Sequence, residues 1–223
     1  YYYNGSSWVF DSTSNPAHWF MDFAIGRRDV DGNLLYGIGM SPSQLDLGAL
    51  HTWAQFCFTE NLTFNAVIDG SQTAADLLTS IARCGFGSPT WASGKLGIVF
   101  DARQATPVAA FGMSNIIKDT FAVTYITEEL ADEIVVRYVD PDKDWNQSEV
   151  RVTVPGVTNP TRTSTIDVFG CTDVDMAGKF ANYMAAQQHY RLRRITWETD
   201  FEGFTCQRGD VVILSHDLTQ WGY

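Results

Sequence analysis

FAVTYI (121–126), EIVVRYV (133–139), EVRVTV (149–154), FGCTDVDMAGKFANYMAAQQHY (169–190), RRITWETDF (193–201) and DVVILS (210–215) make up the run, from Phe121 to Ile213, that decides the fold. In the strand-like segments apolar side chains tend to alternate with polar ones. Ile134, Val136 and Tyr138 share one side, as do Ile195, Trp197, Thr199 and Phe201. That period of two is how a strand turns one face to a core. The run breaks once for Thr172 to Tyr190, where Ala177, Phe180, Ala181 and Met184 recur at helical spacing. Thr172 is placed to cap this helix, with Asp173 and Asp175 in a first turn whose dipole favours carboxylates. Arg191, Arg193 and Arg194 lie at or just beyond its end. The pattern predicts a curved sheet or small barrel with one helix packed on it.

Upstream, the pattern changes. Residues 1–14 read as a linker with a short strand alternation at Trp8 and Phe10. Asn15-Pro16 opens a helix, since Asn is a good N-cap and proline suits the first helical position; it should bury Trp19, Phe20 and Phe23 and stop at Gly26. Asp31-Gly32-Asn33 makes a turn before a loop over 34–40. Leu47, Leu50, Trp53, Ala54 and Cys57 line one face of a second helix, capped by Ser41 or Asp46. Leu62 to Ile68 alternates as a strand and Asp69-Gly70 turns. Thr73 and Asp76 have the spacing of a capping arrangement for a third helix, and strands at 89–91 and 95–100 flank Ala92-Ser93-Gly94. The expected class is α+β: a helix-containing β-α-β-β subdomain over 1–110 and a β-rich domain over 111–223, joined in the region 101–120.

Composition supports a packed protein. The 223 residues are 45% hydrophobic and 13% aromatic, ample for a core. Fifteen basic against 26 acidic residues give a net charge of −11, so nucleic acid or an anionic membrane is a poor match for the overall field. No window approaches the roughly 18 apolar residues of a membrane helix. The start, YYYNGSSW, lacks an initiating Met and is expected to be internal to a longer polypeptide. Cys57, Cys84, Cys171 and Cys206 lie far apart without metal-ligand spacing and are expected as free, mostly buried thiols in a reducing compartment. The N-x-S/T triplets at Asn4, Asn61 and Asn146 are explained by chance.

Residue types that could carry chemistry occur, but not in catalytic patterns. Asp140, Asp142 and Asp144 alternate as calcium ligands can, yet Trp145 and Arg151 stand where an EF-hand needs Gly and Glu, and a solvated hairpin turn explains them as well. Asp29, Asp31 and Asn33 repeat the theme more weakly. Glu198, Asp200 and Glu202 would point to one face of a strand and could pair for glycoside hydrolysis, or serve solubility alone. There is no G-x-S-x-G elbow, and His18, His51, His189 and His216 sit in unrelated contexts. Gly85-Phe86-Gly87 reads as a turn. Catalytic, cofactor and metal residues are therefore expected to be none.

Several stretches carry a resemblance: Asn15-Pro16-Ala17-His18-Trp19 with Asp22, Tyr36-Gly37-Ile38-Gly39, Trp53-Ala54-Gln55-Phe56-Cys57, Phe64-Asn65-Ala66, Glu133 to Pro141, Asp167-Val168-Phe169-Gly170-Cys171-Thr172, and Arg208-Gly209-Asp210-Val211-Val212. In this order they resemble the central region of phage tail tip attachment proteins, the host specificity protein J family of lambda-like phages. The resemblance implies a non-enzymatic tail hub segment at the distal end of the tail tube, in a trimer with small β-barrel domains, joined to the central host-attachment fibre. It also implies other tail proteins as partners, no cofactor, and passage of phage DNA without specific binding; an acidic wall would repel phosphates and keep that passage slippery. A tail-borne glycan hydrolase or carbohydrate-binding module is the alternative.

Overall fold

The computed structural model describes residues 2–69, 72–104, 106–125 and 130–217. Ile126, the end of the expected FAVTYI strand, and Gly70, half of the expected Asp69-Gly70 turn, lie outside the described residues. An N-terminal hairpin of β1 (Tyr2–Tyr3) and β2 (Trp8–Val9) leads to α1 (Pro16–Ile25). As the sequence predicts, Asn15 caps α1 by accepting from Ala17 N and Pro16 sits in its first turn. The buried stripe is Ala17, Phe20, Met21 and Ala24, whereas Trp19 and Phe23 are half-buried. β3 (Arg27–Arg28) and β4 (Leu34–Tyr36) then pair around the Asp31–Asn33 turn, so part of the expected loop is a short hairpin.

Ser41 and Asp46 turn out to cap different elements. Ser41 caps a 3-10 turn at Pro42–Gln44 and Asp46 caps α2 (Leu47–Thr59), accepting from Ala49 N at 3.1 Å. α3 (Ala74–Cys84) follows with Thr73 as its cap, and β5 (Gly87–Ala92) pairs antiparallel with β6 (Lys95–Phe100). Leu62–Ile68, expected as a strand, belongs to no sheet. Its alternation reflects burial of Leu62 and Phe64 in the core. The backbone is tied by single bonds, from Phe64 N to Ser14 O and from Asn65 N to Gly170 O, rather than by a ladder.

The remaining elements are β7 (Ala109–Phe111), β8 (Ala122–Tyr125), β9 (Glu133–Asp140), β10 (Asn146–Thr153), β11 (Thr163–Asp167), α4 (Val174–Tyr190), β12 (Arg193–Thr196) and β13 (Val212–Leu214). β9 is central to a three-stranded sheet, antiparallel to β10 and parallel to β11, with Val136 opposite both Val150 and Ile166. Ile134, Val136 and Tyr138 enter the core as the alternation predicts. β12 pairs with β8 and β13 with β7, each as a two-stranded ladder. The class is thus α+β, but no sheet among the described residues closes into a barrel: the strands form separate small sheets, and β9 takes the parallel β11 as its second neighbour.

Two further local expectations change. Asp173, not Thr172, caps α4, its carboxylate accepting from Met176 N at 2.7 Å, while Thr172 Oγ1 accepts from Asn65 Nδ2. The RRITWETDF ladder ends at Thr196, where its partner β8 begins at Ala122. A 3-10 turn occupies Phe201–Thr205.

Packing divides the chain into two compact units. Unit 1 is residues 1–100 with 131–185, and unit 2 is residues 101–130 with 186–223. Each unit joins two stretches of sequence, because residues 131–185 pack with the N-terminal hundred. In unit 1, α1 lies against α2 and α3, and the core joins Phe20, Trp53, Ile81, Phe64, Ile134, Val136, Met176 and Phe180. Trp53 stands edge-on to Phe20 at 5.8 Å and donates its indole N–H to Gly85 O at 2.8 Å, satisfying the polar atom that its burial would otherwise strand. A Cβ at Gly85 would lie 2.5 Å from the Trp53 ring, so the close approach of backbone and indole needs a glycine there.

Candidate assembly surface

The sequence-level candidates for chemistry resolve into turns, caps and packing. Asp140 Oδ1 accepts from Asp142 N, and its Oδ2 receives Ser148 Oγ at 3.1 Å and the Lys143 ammonium at 3.2 Å. Burial works against ionisation of Asp140, but these donors outweigh it and hold the carboxyl below its usual range. Asp29 likewise closes its own loop, bonded by the Asn33 side chain and by the Asn33 and Asp31 amides. Glu198 and Asp200 lie beyond the β12 ladder, and Glu202 lies in the following 3-10 turn. The strand register that would have aligned these three acids is absent.

The thiols are free: Cys57, Cys84 and Cys171 are buried and Cys206 is half-buried. Burial pushes Cys57 up to about 12, and also raises Cys171 and, together with its neighbouring cysteines, Cys84. Held as neutral thiols at ordinary pH, these three are packing groups rather than nucleophiles. His216 stacks on Phe121 at 3.9 Å, and His189 ends α4 against Tyr190 at 4.6 Å. A polar groove of about 860 Å³ runs past the start of α4, lined by Asn61, Asn65, Asp173, Asp175 and Lys179. Lys179 there is already held by Glu60.

What stands out instead is the incomplete burial of unit 2. Among its described residues only Phe111 and Ile116 are buried apolar side chains. Phe201 and Phe204 are 84% and 85% exposed, with ring centroids 6.2 Å apart, and Tyr190, Tyr125, Met113 and Ile213 are more than half exposed. Unit 2 is held by local ties. Phe111 packs on Trp197 at 5.4 Å, Thr199 Oγ1 donates to Asn115 O at 2.7 Å, Ile117 N donates to Glu198 O at 2.9 Å, and Gln104 bridges to Gly209 and Val211.

Isolated two-stranded ladders are marginal in water, and each unpaired edge is a template for another strand. Covering each exposed phenylalanine yields about 1.5–3 kcal/mol. Unit 2 is therefore chemically suited to docking. Sequence reading missed this surface because it placed Phe201 on the buried face of a longer strand. The signal within the sequence is Phe-Glu-Gly-Phe (201–204), two rings three residues apart around a glycine and without a strand period.

Comparison with known proteins gives this surface a context. No curated protein sequence matches the chain. Of solved structures, the tail protein from Neisseria meningitidis MC58 shares the fold with a TM-score of 0.53 at 19% identity, over 70% of this chain and 49% of that one. A chain in the virion of a native gene transfer agent particle gives 0.54 at 16% identity, over 75% of this chain and 41% of that one. The chain thus spans less than half the length of either. The family model described as putative phage tail protein matches residues 73–223, and includes the whole described part of unit 2 from 186 onward. Matching that model over most of its length, the chain belongs to the putative phage tail protein family.

Proposed function

We propose that this protein is a non-enzymatic structural segment of a tail tip or baseplate hub that connects the tail tube to the central host-attachment fibre. The observation that carries the reading is the pairing of a well-packed unit 1 with an under-buried unit 2 in a member of a phage tail family. Such a chain has a rigid body to hold position and an apolar, open-edged surface to meet neighbours. The order of motifs similar to the host specificity protein J family supports the tip location. A homotrimer in the complete protein, other tail tip and tube proteins as partners, and assembly in the bacterial cytoplasm belong to the same proposal. The net charge of −11 suits a wall past which DNA slides without binding.

The test is to induce tailed particles from the source bacterium and label them with antibody raised against this chain. Gold confined to the distal end of the tail under electron microscopy is the expected result. Label along side fibres would overturn the hub assignment.

A further inference from the structure

β10 is an edge of the three-stranded sheet in unit 1, and the whole of Asn146–Thr153 lies in unbroken register with β9. Just past the strand, Val154 N continues that ladder by donating to Asp132 O at 2.9 Å. Antiparallel hydrogen bonding alternates, so Ser148, Val150 and Val152 turn their amide and carbonyl to β9, whereas Gln147, Glu149, Arg151 and Thr153 turn theirs out of the sheet. Among the described residues no other strand pairs with that edge. Within Asn146–Thr153 there is neither proline nor bulge, two of the usual guards of a long edge. Val150 and Val152, on the core side, are only half-buried.

Charge, the third guard, alternates in sign here and so defines a strand that fits. On the outer face Arg137 and Arg151 both hold Glu149, at 3.0 and 2.8 Å, and Glu133 holds Arg151 at 3.3 Å. An antiparallel strand that complements this edge must place a base opposite Glu149 and, two residues earlier in its own sequence, an acid opposite Arg151. Glu149-Val150-Arg151 is itself such a sequence.

We propose that β10 is a self-complementary edge, through which two copies of this chain pair antiparallel about a two-fold axis at Val150. Glu149 of each copy then stands opposite Arg151 of the other, and Gln147 opposite Thr153. All of these are residues whose N–H and C=O face outward, as a hydrogen-bonded pair requires, so the open edge is satisfied along its length. The row of alternating charge continues from Arg137 through Glu149 to Arg151 of the second copy. On the core side Val150 meets Val150 of the second copy and Val152 meets its Ser148, which covers the half-buried valines. Moving the axis by one residue sets Glu149 against Glu149 or Arg151 against Arg151, and like charges directly opposite are unfavourable, so charge selects the register. The contact is isologous and closes at two copies. It uses no residue of unit 2, stands apart from the trimer proposed above and does not rest on the tail-tip reading.

Sedimentation equilibrium on the whole chain tests this. The native chain should pass from monomer to dimer as its concentration is raised through the micromolar range. Glu149→Arg leaves two bases on the edge and Arg151→Glu two acids, so each variant alone should dimerise at least about tenfold more weakly. Mixed in equal amounts the two variants are complementary again, and the lost affinity should return as a mixed dimer. Thr153→Pro removes an outward amide and spares the ladder to β9, so it should weaken the native dimer by a similar factor even if a charge reversal disturbs the fold. A native chain that stays monomeric overturns the inference. So does a dimer indifferent to Thr153→Pro or to both charge reversals, as one held through unit 2 would be, and so does a mixture of folded variants no tighter than either alone.

Discussion

At the scale of single residues, two positions hold loop segments in place. Gly170 has φ +87, and a Cβ there would lie 2.4 Å from the Phe64 ring. Gly170→Ala therefore incurs both backbone strain and overpacking, and denaturant titration should show a loss of about 2–3 kcal/mol. Asp132 anchors the 155–162 loop: its carboxylate receives the Thr161 and Arg162 amides, the Thr161 hydroxyl and the Arg162 guanidinium. Led by the Thr161 amide, these donors hold Asp132 far below the carboxylate value of 3.8. A depressed carboxylate lends stability above its unfolded pKa and loses it as pH falls through the folded one. Asp132→Asn should leave the loop open to proteolysis at pH 7, and the difference from the native chain should shrink below pH 4. A variant cut no faster than the native chain would show that the loop is held by other contacts.

Among secondary-structure elements, α1 and α3 are legible in the sequence because their caps and stripes are local: Asn15-Pro16 and Thr73 to Asp76 need no tertiary partner. β11 is not, since Thr163–Asp167 carries a single large apolar residue, Ile166, and exists by pairing with β9 across the chain. The converse error is 62–68, where alternation marks burial without a ladder. α4 shows how a one-residue choice is decided by competition: Thr172 is engaged by Asn65, which leaves Asp173 to cap. Asp173→Ala should cost about 1 kcal/mol, and Thr172→Val, which breaks only that side-chain bond, about half as much or less. Equal losses by thermal denaturation would return the cap to Thr172.

For the molecule as a whole, stability and assembly fall in different places. Unit 1 holds the apolar core, so the amides of α1, α2, α3 and β9 should exchange only with global unfolding, while those of β7, β8, β12 and β13 should exchange through smaller openings. The surface itself was legible only as apolar letters, because exposure depends on where a ladder stops, and β12 stops at Thr196 for want of a longer partner. Phe201 and Phe204 separate the two roles. Their rings are exposed and touch chiefly each other, so Phe201→Ser with Phe204→Ser should change the melting free energy of the isolated chain by no more than about 0.5 kcal/mol. In particles, where a neighbour would cover those rings, the same pair should lower incorporation of the protein into tails, read as its ratio to a tube protein. A lowered melting temperature with normal incorporation would place the two phenylalanines in the protein's own fold and remove unit 2 from the docking surface.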